Sequence, residues 1–311
     1  MSDLAPTQVS RVSIFFRLTR AQFIPLIILP SLAGAGFAYY TTHRLNIEFL
    51  TITLIGVILL HLGANSIDDC YDFQNGVDKI ANEVFPPNFG GWKPLPRGLI
   101  SLKSAKITSL ILFLASLALA GYFTLVVGIW ALLFGVIGIL LAVFYTAPPL
   151  KLDYKGYGLG ELAILFAFGP IPLLGSFYVQ TGILSLNALL VSIPIGLVTV
   201  TILIDHDLIF YEVYRRAGKM SLATVLGRKK ALMTSLILVL SSYAIIVMLI
   251  LLQVLPIWAI AAAVASGLLL ARKRATYGRA DEPPPFYLPF TVNAMLSDWI
   301  FTLILAIALF I

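Results

Sequence analysis

Apolar residues run in blocks of about twenty along the chain, broken by short polar stretches. A helix that crosses the hydrocarbon core of a bilayer needs roughly 20 mostly apolar residues. Nine blocks qualify: about 22–41, 49–66, 106–124, 127–147, 160–180, 187–206, 231–251, 254–271 and 289–310. Backbone groups cannot stay unpaired in lipid, so such blocks predict helices. Residues 107–147 carry no charge, which is 41 positions and too long for one span. Gly121 and Gly128 leave room there for a tight turn between two helices. The pattern predicts an all-α, polytopic membrane bundle of about nine transmembrane helices, formed by residues 1–311 as a single unit.

Composition agrees. Of 311 residues, 59% are hydrophobic and 12% are charged, whereas soluble domains carry about 25% charged residues. A single Cys70 excludes an intramolecular disulfide, and His43, His61 and His206 lie too far apart for a zinc motif. The net charge of +6 does not point to nucleic acid, because the basic residues are scattered over short connections.

Their scatter has an order. With the N-terminus inside, 20 of the 21 Lys and Arg fall on the inner side and Arg44 alone falls outside. Positive charge concentrates in cytoplasmic loops. The N-terminus is therefore expected in the cytoplasm, in a multi-pass protein of the cell membrane. The long connections, 66–105 and 206–230, fall on the same side. Long connections tend to carry function, so these two are expected to be cytoplasmic active-site loops.

The first of them begins with unusual chemistry. Asp68, Asp69, Asp72 and Asp78 lie within eleven residues, directly after an apolar span. An aspartate at the centre of a membrane helix costs about 2.5–3.5 kcal/mol on insertion scales. On a helix Asn65, Asp69 and Asp72 fall at i, i+4 and i+7 on one face, with Asp68 at its edge. Converging oxygens of this kind suit Mg²⁺, a hard cation that often shares its ligands with a substrate phosphate. The second connection opens on Asp205, His206, Asp207 and Glu212, then reaches Arg215, Arg216 and Lys219. Two acidic helix ends with cations beside them suit a diphosphate.

These residues resemble the UbiA superfamily of intramembrane prenyltransferases, in its MenA-like branch. Asn65-Ser-Ile-Asp68-Asp69-Cys-Tyr-Asp72 with Gly76-Val-Asp78 is similar to the family's first motif, although Asp68 stands where the pattern has Asn. Pro94-Leu-Pro-Arg97-Gly98-Leu-Ile-Ser101, Tyr145-Thr-Ala-Pro-Pro-Leu-Lys151 and the opening Phe16-Arg17-Leu-Thr-Arg20 match further stretches. The second motif departs. Two carboxylates expected before Ala217-Gly218-Lys219 are Phe210 and Tyr214 here.

The resemblance implies transfer of a polyprenyl group from its diphosphate to an aromatic acceptor, 1,4-dihydroxy-2-naphthoate, in menaquinone biosynthesis. It implies Mg²⁺ held by Asn65, Asp68, Asp69, Asp72 and Asp207, the last standing in for the missing carboxylates. Asp69, Asp72 and Asp207 are the expected catalytic residues. Arg97, Lys151, Arg215 and Lys219 are expected to take the diphosphate. Arg17, Arg20, Tyr145 and Tyr178 are expected at the acceptor. Residues 86–96, rich in Pro and Gly, read as a cap. A different acceptor, a transporter and a non-catalytic member remain as alternatives.

Overall fold

The computed structural model describes residues 9–85, 93–274 and 284–311. The expected cap lies largely outside them. Everything regular among the described residues is helical. After a short α1 (Arg11–Leu18) come α2 (Pro25–Thr42), α3 (Ile47–Gln74) and α4 (Val77–Val84). Then follow α5 (Leu102–Val126), α6 (Trp130–Thr146), α7 (Leu159–Phe168) and α8 (Pro170–Thr181). The last six are α9 (Leu186–Ile209), α10 (Tyr211–Ala217), α11 (Leu222–Leu226), α12 (Arg228–Leu251), α13 (Ile260–Arg274) and α14 (Leu288–Ala308).

Among the described residues seven helical stretches are long and apolar enough to cross a membrane. Two shorter apolar ones, Trp130–Thr146 and Ile257–Gly267, coincide with the fourth and eighth expected spans. The starts obey local chemistry. Asn46, Ser101 and Ser185 each accept a backbone N–H three residues on, capping α3, α5 and α9. The expected span 160–180 divides into α7 and α8 at Gly169–Pro170, because Pro cannot supply the hydrogen bond that would continue α7.

The helices pack as neighbours, α3 on α5, α9 on α12, α2 on α8 and α13 on α14. Between helices in lipid the approach is set by small residues rather than by hydrophobic drive. Gly196 shows this, since a Cβ there would stand 2.5 Å from the Leu165 carbonyl oxygen across the α7–α9 contact. Phe37, Leu173, Ile195, Ile246 and Phe301 fill the main core.

The segments expected as loops are largely helical. α3 runs to Gln74, so all of Asn65–Asp72 is helix and their shared face is real. Gly76, at φ 80°, then turns the chain into α4, a conformation that glycine adopts without a Cβ penalty. In the second segment α9 continues through Asp207, and α10 and α11 follow.

Candidate functional site

The bundle encloses a cavity of about 1240 Å³, mostly apolar below and charged at one end. The charged end is built on the last turns of α3. Asp69 is 1% exposed and Asp72 5%.

Each carboxylate there meets a cation brought from far along the chain. Arg20 lies between α1 and α2 in the left-handed backbone region at φ 46°, a sparsely populated conformation for any residue but glycine and a form of strain that collects at functional sites. Its guanidinium reaches Asp68 at 3.1 Å and makes a closer pair with Asp69. Lys93 Nζ lies 2.8 Å from Asp78, 3.1 Å from Asp69 and 3.9 Å from Asp72. Lys219, 4% exposed, pairs closely with Asp153 and stands 3.8 Å from Asp72. Tyr154 donates its hydroxyl to Asp72 at 3.1 Å.

The electrostatics follow from this pairing. Burial opposes the charge on Arg20, but Asp69 and its neighbours outweigh it and hold the guanidinium more firmly charged than usual. Burial also opposes the charge on Lys93, where Asp69 and Asp78 prevail, and on Lys219, where Asp153 and Asp72 prevail. Burial pushes the Asp153 carboxyl up to about 6 against the pull of Lys219, an ammonium it shares with Asp72. Asp78 shifts up for the same reason, burial exceeding the effect of Lys93.

The balance of charge is informative. Five carboxylates, Asp68, Asp69, Asp72, Asp78 and Asp153, share three cations. The surplus of two negative charges equals one divalent ion. Among the described residues no three His, Cys, Asp or Glu side chains are already gathered at ligand distance. Yet Asp68 Oδ1, Asp78 Oδ2 and Asp153 Oδ1 are buried with no hydrogen-bond partner. Oxygen donors of this kind fit a hard cation such as Mg²⁺.

The second acidic segment is different. Asp207 is 1% exposed, and neither of its oxygens has a hydrogen-bond partner. Its neighbour His206 lies 3.6 Å away through Nδ1. The cavity wall here is instead a stack of rings. His206 lies on Phe210 at 4.7 Å and Phe210 on Tyr214 at 5.6 Å, both nearly parallel. Lys219 caps the stack with its Nζ 4.4 Å from the Tyr214 ring centroid. A cation over an aromatic face is attracted by the ring quadrupole.

The other expected residues divide. Asn65, Arg17, Arg20, Tyr145 and Lys219 line the cavity with the α3 aspartates. Arg17 is exposed at its mouth. Lys151 lies behind the wall, donating to Asn75 at 2.8 Å. Arg97 and Arg215 are exposed and off the wall, with Arg215 over the Tyr211 ring. Tyr178 sits near the opposite end of the bundle, where its hydroxyl donates to Val127 at 3.4 Å. The α5 helix measures that separation. Ala105 touches Ser66 near the carboxylates, Phe123 packs with Tyr178, and 18 residues between them span about 27 Å.

Sequence reasoning missed two contributors. Lys93 looks like one more inner-face charge, 15 residues beyond Asp78. Asp153, between Lys151 and Lys155, invites a local pairing, but the 3-10 turn Leu152–Tyr154 carries it to Lys219. Glu161 likewise reaches beyond its own segment, accepting the Leu222 backbone N–H at 2.9 Å.

A model of the UbiA prenyltransferase family matches residues 27–295. The 1,4-dihydroxy-2-naphthoate octaprenyltransferase of Escherichia coli (strain K12) is 26% identical over 306 residues, covering 95% of this chain and 96% of that protein. The 2-carboxy-1,4-naphthoquinone phytyltransferase of Synechocystis sp. is 30% identical over 253 residues, covering 78% of this chain and 76% of the relative. A UbiA homologue from Archaeoglobus fulgidus, solved bound to GPP and Mg²⁺, shares the fold. It has a TM-score of 0.64 and 18% identity, covering 94% of this chain and 99% of that one.

Proposed function

We propose that this chain, which belongs to the UbiA prenyltransferase family, moves a polyprenyl group from its diphosphate to 1,4-dihydroxy-2-naphthoate inside the membrane. The carrying observation is an apolar cavity whose one charged end holds five carboxylates and three cations. The relatives support the acceptor. Both of their names describe a naphthalene oxygenated at positions 1 and 4 with a carboxyl at position 2, while the transferred chains differ.

The chemistry follows from charge. Arg20, Lys93 and Lys219 bind the diphosphate oxygens and stabilise the leaving group as the allylic C–O bond breaks, with the electron pair departing on oxygen. Charges placed in advance where charge develops contribute most in a site without water. Asp68, Asp69 and Asp72, with Asn65 and Asp153, line the charged end and would hold Mg²⁺, whereas Asp207 lies behind the wall that His206 and Phe210 form and would act on it only through charge. Bound there, Mg²⁺ neutralises diphosphate charge. Tyr145, Phe168 and Phe210 present rings along the path of the allylic cation, and the apolar wall keeps water from it. The cation then forms a C–C bond to the electron-rich acceptor ring, and the ring's carboxylate leaves as CO2, its bonding electron pair restoring the aromatic ring. Arg17, at the mouth, faces the acceptor carboxylate.

The concentration of basic residues in alternate connections supports a cytoplasmic N-terminus, with the charged end of the cavity on that side of the cell membrane. The decisive assay uses purified protein in nanodiscs with geranylgeranyl diphosphate, Mg²⁺ and a panel of single acceptors. Prenylation of 1,4-dihydroxy-2-naphthoate with release of diphosphate, absent in Asp69→Ala, is the expected result. Diphosphate release with no acceptor on the panel modified would overturn the assignment of acceptor, and no release at all would overturn the reaction.

A further inference from the structure

A carboxylate sits inside the membrane part of the bundle and takes no part in the chemistry above. Asp298 lies in the middle of α14 and is 2% exposed. No cation is paired with it among the described residues. Ionisable side chains inside membrane spans are costly, and such a residue is a functional candidate by default.

Its partner is Thr199 of α9, whose hydroxyl donates to Asp298 Oδ1 at 2.7 Å. Thr199 also lines the cavity. It lies eight residues before Asp207 on the same helix, about 12 Å below the charged end. Other hydroxyls on the cavity wall are not directed by a carboxylate. Thr53 donates to the Phe49 carbonyl and Ser116 to the Gly56 carbonyl of α3, while Ser176 Oγ and the Tyr145 hydroxyl have no partner. Thr199 has its own helix carbonyl within reach too, Ile195 at 3.1 Å, but the carboxylate is the closer acceptor.

That choice fixes the polarity of the group. A threonine hydroxyl has one hydrogen and two lone pairs. With the hydrogen directed at a carboxylate, the cavity meets lone pairs and no donor. The site can then accept a hydrogen bond from a ligand O–H, and it disfavours a ligand carbonyl or ether at the same place. In an otherwise apolar wall this is a strong filter, because a site built to pair a substrate hydroxyl rejects the analogue that lacks it.

We propose that Thr199, oriented by Asp298, accepts a hydrogen bond from a phenolic hydroxyl of the acceptor and so selects the dihydroxy form of the ring. The inference rests on the reading that the acceptor is a hydroxylated aromatic. In it Thr199 touches the acceptor, and Asp298 is a positioning residue that acts through Thr199. The donor diphosphate, bound at the charged end about 12 Å above, does not touch either group.

The test is equilibrium binding of radiolabelled 1,4-dihydroxy-2-naphthoate, and of its mono-O-methyl ethers, to the purified full-length protein in detergent, alongside steady-state transfer. Thr199→Val keeps the shape and removes the hydroxyl. The expected result is about tenfold weaker binding of the diol and loss of discrimination against one of the two ethers, with the KM for prenyl diphosphate unchanged. Thr199→Ser restores discrimination. Asp298→Asn lowers it partially, because the amide oxygen still accepts from Thr199. Unchanged discrimination in Thr199→Val overturns the proposal, as does an equal rise in both KM values, which would mark a packing role. Binding is read without turnover. Wild-type protein that binds the diol selectively through Thr199 yet transfers nothing would therefore count against the proposed reaction and leave Thr199 standing.

Discussion

The two halves of the charged end are built on opposite plans. On α3 and the first turn of α4 every carboxylate from Asp68 to Asp78 lies against a cation from another part of the chain. Across the cavity Asp207 is buried without a hydrogen bond, and the wall beside it is the stack of His206, Phe210 and Tyr214. Lys219 joins them, paired with Asp153 and Asp72 on one side and lying over Tyr214 on the other. The difference teaches that a site for an anion can be held by many charges in one half and by one charge on an aromatic platform in the other. In a medium with little water a single well-held ammonium goes a long way.

The comparison can be broken hardest at Asp69, which bears both Arg20 and Lys93. Asp69→Ala takes from Arg20 and Lys93 the carboxylate they share, leaving them Asp68 and Asp78, and removes an oxygen from the metal face. Transfer should fall by about a thousandfold, in line with loss of a preorganised charge in an active site, measured as prenylated product per minute at saturating Mg²⁺. Next is Lys219→Met, which leaves Asp72 and Asp153 without their shared cation. Breaking a buried pair costs about 3–5 kcal/mol, to be read from unfolding in detergent, and kcat/KM for prenyl diphosphate should drop with it. Adding Asp153→Asn should recover stability without recovering turnover.

A third test uses pH. The Asp153 carboxyl, held up at about 6 by burial, takes up a proton between pH about 4 and 6 that an unfolded aspartate, with its pKa near 3.9, does not. Stability from this group is therefore full below that window and is lost as pH rises through 6, a change on the order of 2 kcal/mol. Asp153→Asn should remove that slope from the thermal-unfolding profile. The smallest effect is expected at Tyr214. Tyr214→Phe keeps the ring under Lys219 and should change KM for the diphosphate by less than about twofold. Tyr214→Leu forfeits the cation–ring contact, about 0.5–2 kcal/mol, and should raise that KM several-fold.

What could be read in advance follows the physics of each region. The helices were legible because lipid forces long apolar blocks into helices; every expected block is helical, 160–180 as two pieces, and seven stretches among the described residues are long enough to cross. The negative half of the site was legible too, since Asn65, Asp69 and Asp72 obey helical spacing on an unbroken α3. Its positive half was legible only in part: Arg20 and Lys219 were named from the resemblance and Lys93 was not, and the pairings of all three stayed hidden. Arg20 is 49 residues from Asp69, and Lys219 lies still further along the chain from Asp72. No local periodicity links such positions. Direction was hidden as well. Arg97 and Arg215 are the right chemistry in the right segments, but their turns face them away from the cavity. Tyr178 has a suitable ring on the wrong level of the bundle. Asp153 lies between Lys151 and Lys155 in sequence, but a single 3-10 turn carries it to Lys219 instead.

The length of α3 has a consequence for how the substrate arrives. Its 28 residues measure about 42 Å, against about 30 Å for the hydrocarbon core. The turns that bear Asn65 to Asp72 stand at the level where lipid headgroups meet water. A prenyl diphosphate already lies in the bilayer with its phosphates at that level and its chain below. The protein therefore meets its substrate in the posture the membrane has given it. It need not lift the chain into water or sink the phosphates into oil, and the work of moving between solvents is left undone because it was never required.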